Sequence, residues 1–101
     1  MTNLFDYKTP TSGSEDLNEL FSNKKVTINR IVSNQLENGS WYEQQEDEWL
    51  VLLEGEAILE MDEALISLKK GDTLYIPAFK LHRVQKTSSN TLWLTIHFNP
   101  E

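Results

Sequence analysis

From Lys24 onward, apolar and polar residues alternate in runs of four to eight, broken by turn formers about every ten residues. The runs are VTINRIV (26–32), WYEQ (41–44), EWLVLL (48–53), AILEM (57–61), ALISL (64–68), TLYI (73–76), LHRVQK (81–86) and TLWLTIHF (91–98). Asn38-Gly39, Glu54-Gly55, Asp62-Glu63, Lys70-Gly71-Asp72, Pro77 and Ser88-Ser89-Asn90 separate them, and all but a few of these residues suit tight turns. Eight short strands with such connections predict an all-β fold, a jelly-roll or double-stranded β-helix barrel. Ahead of them, DYKTPTSGSED (6–16) reads as an extended leader. Leu17, Leu20 and Phe21 then fall at i, i+3 and i+4, which predicts a short helix starting near Ser14. The expected division is a leader and helix over 1–23 and a barrel over 24–101.

Side-chain parity assigns the faces. A two-residue hairpin loop at Glu54-Gly55 would put Glu48 opposite Met61, with Glu48, Leu50, Leu52, Ala57, Leu59 and Met61 on the more apolar, interior face. Carried backward, the alternation brings Tyr42, Gln44 and Glu46 to that face and turns Trp41, Glu43, Gln45, Asp47 and Trp49 away. A second hairpin looped at 87–90 would set His82 opposite Thr95 and Val84 opposite Trp93, with His97 diagonal to His82 at roughly 7 Å. The only two histidines would then converge. The other face, with Arg83, Leu92, Leu94, Ile96 and Phe98, is too apolar to leave wet, which predicts cover from the N-terminal helix and from a second subunit.

Composition narrows the chemistry. A net charge of −7 over 101 residues supplies no basic stripe for phosphate backbones or anionic lipid, so neither nucleic acid nor a membrane is an expected partner. With no cysteine and no basic-then-apolar segment at the start, the expected location is the cytoplasm. Two histidines and no thiol exclude three-histidine and thiolate metal sites. Gln44, Glu48, His82 and His97 form a mixed imidazole and oxygen set suited to Fe, Mn, Ni or Zn. The competing reading leaves both histidines as hydrogen-bonded core or rim residues without metal. The serines fall in turns or at strand ends, away from a histidine base, and the lysines near the turns, Lys69, Lys70 and Lys80, read as solubilising charges. Tyr42, Met61, Trp93 and Thr95 complete the expected pocket.

Glu48 and Gly55, then Gly71, Pro77 and His82, resemble the two motifs of the cupin superfamily, G-x5-H-x-H-x3,4-E-x6-G and G-x5-P-x-G-x2-H-x3-N. WYEQQEDEWLVLLEGEAILE, GDTLYIPAFKLHRV and TLWLTIHF resemble small single-domain bacterial cupins. Gln44 and Tyr42 stand where the first motif has histidines, Leu36 and Phe79 where the motifs have glycine, and Lys86 where the second has asparagine. Of the four metal ligands that the resemblance implies, Glu48 and His82 carry over, with Gln44 an oxygen donor and His97 a substitute from outside the motifs. Together these readings predict a homodimeric cupin whose in-barrel pocket binds a divalent metal and acts on a small polar molecule. The alternative is a metal-free module that binds or senses a sugar-like or carboxylated ligand.

Overall fold

Strands with one apolar face must bury it against another such face, and this chain does so with two antiparallel sheets. The computed structural model describes residues 1–100. It contains β1 (Ser14–Ser22), β2 (Val26–Asn34), β3 (Asp47–Glu54), β4 (Glu56–Met61), β5 (Ala64–Lys69), β6 (Thr73–Ile76), β7 (His82–Thr87) and β8 (Thr91–Phe98). The larger sheet has the order β1-β2-β8-β3-β6 and the smaller β5-β4-β7. Among the described residues no helix is long and apolar enough to cross a membrane.

The core lies between the sheets, where Leu50, Leu52, Ala57, Leu59, Leu68, Ile76 and Trp93 form one buried cluster. Full burial of such side chains contributes about 1.5–3 kcal/mol each. Trp93 keeps its indole satisfied inside this layer by donating Nε1–H to Ser33 Oγ at 3.1 Å.

Both expected hairpins are absent, although the faces derived from them are right for Glu48, Leu50, Leu52, Ala57 and Leu59, all buried. β3 pairs with β6 and β8, and β4 with β5 and β7, so Glu54-Gly55 carries the chain from one sheet to the other. Residues 88–90 make the return crossing from β7 to β8. The two corners hold each other: Ser88 N donates to Glu56 O at 2.9 Å, and Glu56 N donates to Ser88 Oγ at 2.9 Å. Gly55 has φ +87°, and a Cβ there would meet Ser88 Oγ and Thr91 Oγ1 at 2.8 Å. A two-residue spacing fits both a hairpin and a corner, and this tertiary contact selects the corner. A true two-residue hairpin occurs at Asp62-Glu63, both at positive φ, between the paired Met61 and Ala64.

The expected N-terminal helix is also absent. Residues 14–22 form β1, an edge strand whose bulge between Glu19 and Phe21 breaks the simple alternation. Pairing with β2 overrides a three-residue apolar spacing that was too short to nucleate a helix. The leader covers part of the outer face of the large sheet. Arg30 Nη1 donates to the carbonyls of Asn3, Leu4 and Asp6 at 3.2, 3.4 and 3.0 Å, and Asn34 Nδ2 donates to Pro10 O at 2.9 Å. Val32 and Leu92, on that face between these anchors, are buried.

Gly55→Ala is expected to lower stability by more than about 1 kcal/mol, measured by urea unfolding. Gly71→Ala is expected to cost less, because its Cβ at φ +91° meets nothing within 4 Å. Phe79 holds φ +63° in the turn before β7. Phe79→Gly should raise stability by about 0–1.5 kcal/mol, the left-handed penalty of about 1–2 less glycine's entropy cost of about 0.5–1. Burial, then the Glu54 carboxylate whose Oε2 accepts from the phenol at 3.2 Å, raises the Tyr7 pKa above 10.0. Because the folded-state value is the raised one, this contact's stabilisation is whole below pH 10 and lost as pH rises through the raised value. The urea unfolding midpoint should therefore fall as pH rises through that value, and Tyr7→Phe should remove that step.

Candidate functional site

Near the Asp47 end of β3 the sheets part around a hollow of about 180 Å³. Glu48 enters it from β3, Thr95 and His97 from β8, and His82 from the start of β7, while Ile31, Leu50, Leu59, Ile76, Val84 and Trp93 wall it. Glu48 pairs directly with His97 across the β3–β8 ladder, and Thr95 pairs with Leu50. Glu48 and His82 are each only 6% exposed, so the polar ends of both are enclosed with the same cavity.

Tyr42 and Gln44 reach this hollow without a strand of their own. The expected strand at 41–44 is instead an irregular segment laid along β7 by two isolated bridges, Glu37 to Lys86 and Tyr42 to His82. Tyr42 N donates to His82 O at 2.8 Å, and His82 N returns the bond to Tyr42 O at 3.0 Å. Gly39 permits the close approach, since a Cβ there would meet Val84 O at 2.8 Å. Alternation survives in this segment: Tyr42 lines the hollow, while Trp41 lies outside it under Arg83, whose Cζ is 4.7 Å from the ring centroid.

The hydrogen bonds fix which atoms face the cavity. Gln44 Nε2 donates to Glu48 Oε1 at 3.0 Å, an orientation imposed because only the amide nitrogen can lie against a carboxylate oxygen. His82 Nδ1 lies 2.8 Å from Lys80 O; a carbonyl only accepts, so Nδ1 carries a proton, and Nε2 is left as the nitrogen outside that bond. His97 sits between two carboxylates, with Nδ1 3.2 Å from Glu46 Oε1 and Nε2 3.8 Å from Glu48 Oε1. Thr95 Oγ1 and Asn29 Oδ1 are buried with no partner among the described residues.

Gln44, Glu48, His82 and His97 are thus brought to one hollow with Tyr42, Trp93 and Thr95. Met61 is paired with His82 and packed on the core, outside the residues that line the cavity. The histidines converge from different sheets rather than across a hairpin, and Arg83 lies on the small sheet, apart from Leu94, Ile96 and Phe98. For a metal the donors fit in type, since both imidazoles engage Nδ1 with an outer acceptor, as metal-bound histidines do. They do not fit in spacing: among the described residues no three His, Asp or Glu side chains gather closely enough to hold an ion. Sequence reasoning gave Glu46 no role beyond its face and passed over Asn29. The signal for Asn29 was the alternation of β2, which sets it on the inner face with Ile31 and Ser33. A larger cleft of about 430 Å³ at the opposite end of the sheets contains neither histidine.

Residues 32–97 match the family model described as the cupin domain. A presumptive mannose-6-phosphate isomerase of Ralstonia eutropha JMP134 is 33% identical with a TM-score of 0.88, over 99% of this chain and 98% of that one. A cupin superfamily protein of Desulfitobacterium hafniense DCB-2 is 24% identical with a TM-score of 0.81, over 90% of this chain and 83% of that one. KdgF from Halomonas sp. shares the fold with a TM-score of 0.79 at 12% identity, over 95% of this chain and 89% of that one. A search of curated proteins finds no match. With its motif residues Glu48 and His82 facing one cavity between two antiparallel sheets, the chain belongs to the cupin family.

Proposed function

We propose that this cupin binds a small polar molecule in the hollow between its sheets, held by Glu48 and His82 and packed against Trp93 and the aliphatic wall. The observation that carries this reading is the shared enclosure of a carboxylate and an imidazole, each 6% exposed, around open volume. Polar groups of that kind are retained at a stability cost where they meet a ligand. At about 180 Å³ the hollow is smaller than the roughly 300–1,000 Å³ of pockets that take drug-sized ligands, so the bound molecule is small.

A second reading, with a divalent ion of Fe, Mn, Ni or Zn at Glu48, His82 and His97, is favoured by the engaged Nδ1 atoms. Such an ion would act as a Lewis acid on the bound molecule. It would require the three side chains to draw together, and Gln44 to exchange its amide nitrogen for its oxygen.

The homodimer is a further part of the proposal. Beyond the leader, the outer face of the large sheet carries a row of cross-strand partners, Ile28, Ile96, Trp49 and Tyr75, flanked by Val51, Leu94 and Phe98. Tyr75 and Phe98 are 53% and 45% exposed. A second copy laid on this face would cover the row, as a standard interface of about 800 Å² per partner requires.

Elemental analysis of protein grown with Fe, Mn, Ni and Zn, and never exposed to chelator, should show less than one metal per chain. Stoichiometric metal that vanishes in folded Glu48→Ala and His82→Ala would establish the second reading instead. Sedimentation equilibrium should give a dimer that Ile96→Lys dissociates; a monomer at high concentration would remove the interface.

A further inference from the structure

The hydrogen-bonding inventory of the hollow is one-sided. Its N–H donors are engaged within the protein: Gln44 by Glu48, Trp93 by Ser33, and His82 Nδ1 by Lys80 O. His97 Nδ1 has Glu46 Oε1 at 3.2 Å, while its Nε2 stands 3.8 Å from Glu48 Oε1, too far for a hydrogen bond but beside a negative charge. The groups left over are carboxylate, amide and imidazole atoms that carry no hydrogen bond, together with the hydroxyls of Thr95 and Tyr42, which can accept as well as donate. Glu48 Oε2 and His82 Nε2 have no hydrogen bond among the described residues. Thr95 Oγ1, on a residue 2% exposed, lines the cavity unpartnered. Asn29 Oδ1, on Thr95's cross-strand neighbour in β2, is buried and unpartnered on the same face. Among the described residues no lysine or arginine lines the hollow, whereas Glu15 and Glu48 do.

We infer that the hollow selects a small ligand that presents hydrogen-bond donors, hydroxyl or ammonium, and excludes phosphate esters and carboxylates. The inference rests on the ligand-binding reading above and gives it a chemical class. An anion entering this cavity would lose its hydration and find carboxylates in place of cations, an arrangement that both desolvation and Coulomb repulsion oppose. A donor would satisfy acceptors that are otherwise left bare, and the aliphatic wall would take the carbon skeleton. The carboxylated ligand expected from the sequence is thereby excluded. So is a sugar phosphate such as the one in the name of the Ralstonia eutropha protein.

The test is chemical-shift titration of the protein as purified with three matched pairs: glycerol and glycerol 3-phosphate, D-mannose and D-mannose 6-phosphate, 2-aminoethanol and glycolate. In at least one pair the first member should bind about tenfold or more tightly than the second, with shifts centred on Gln44, Glu48, His82 and Thr95. Mannose or glycerol binding would identify hydroxyls as the recognised donor, and aminoethanol binding an ammonium. Thr95→Val should weaken that binding about tenfold without lowering Tm, because the hydroxyl it removes has no partner in the protein. Tighter binding of the anionic members overturns the inference while leaving the pocket reading intact, and loss of that binding on chelation would assign it to a metal. Unchanged affinity in Thr95→Val also overturns it. If no compound in any pair shifts the cavity residues, the ligand-binding reading falls, and the inference with it.

Discussion

The two sheets enclose a hollow because the chain changes sheet at two corners that hydrogen-bond to each other. Gly55 makes this possible, since any larger residue would strike Ser88 and Thr91 from a backbone angle that only glycine adopts freely. With the corners locked, Glu48 lies at the end of β3 remote from them, and His82 and His97 lie at the same remote end of β7 and β8 in opposite sheets. The convergence of Glu48, His82 and His97 follows from this closure. The hairpin expected at 87–90 would also have brought the two histidines together, but within one sheet, whereas here they meet from opposite sheets with Glu48.

Period-two alternation made the inner face of the core strands readable, since a residue's side of its own strand does not depend on which strand lies beside it. Glu48, Leu50 and Leu52 are therefore buried as expected even though the strand expected to pair with β3 is elsewhere. Pairing was not legible, because Glu54-Gly55 has the spacing of a turn and of a corner alike. In β1, Leu17, Leu20 and Phe21 imitate a helical stripe, and the β-bulge at Leu20 accommodates that spacing in a strand. Of the candidate site, the motif residues were visible in the sequence. The unpartnered Thr95 and Asn29 oxygens were not, because hydrogen-bond satisfaction is a property of neighbours that only the assembled sheets supply.

The cupin pattern has glycine where this chain has Phe79, and the backbone shows what a glycine would relieve there: φ is +63°. The turn is held from outside, by Phe79 N donating to Gln44 O at 2.7 Å and by Ala78 N donating to Asp47 Oδ1 at 2.7 Å. That same contact anchors the segment bearing Gln44, so the strained turn and the first-motif residues are parts of one structure.

The two walls of the hollow are tied down very unequally. Glu48 and His97 sit in a continuous ladder, whereas Tyr42 and Gln44 ride on a segment attached by isolated bridges and a few loop bonds. Altering the firm wall disturbs packed strands; altering the loose one disturbs little beyond its own tether. A lineage built on this plan is free to rewrite what its cavity grasps from one side only, keeping the opposite side as a fixed reference.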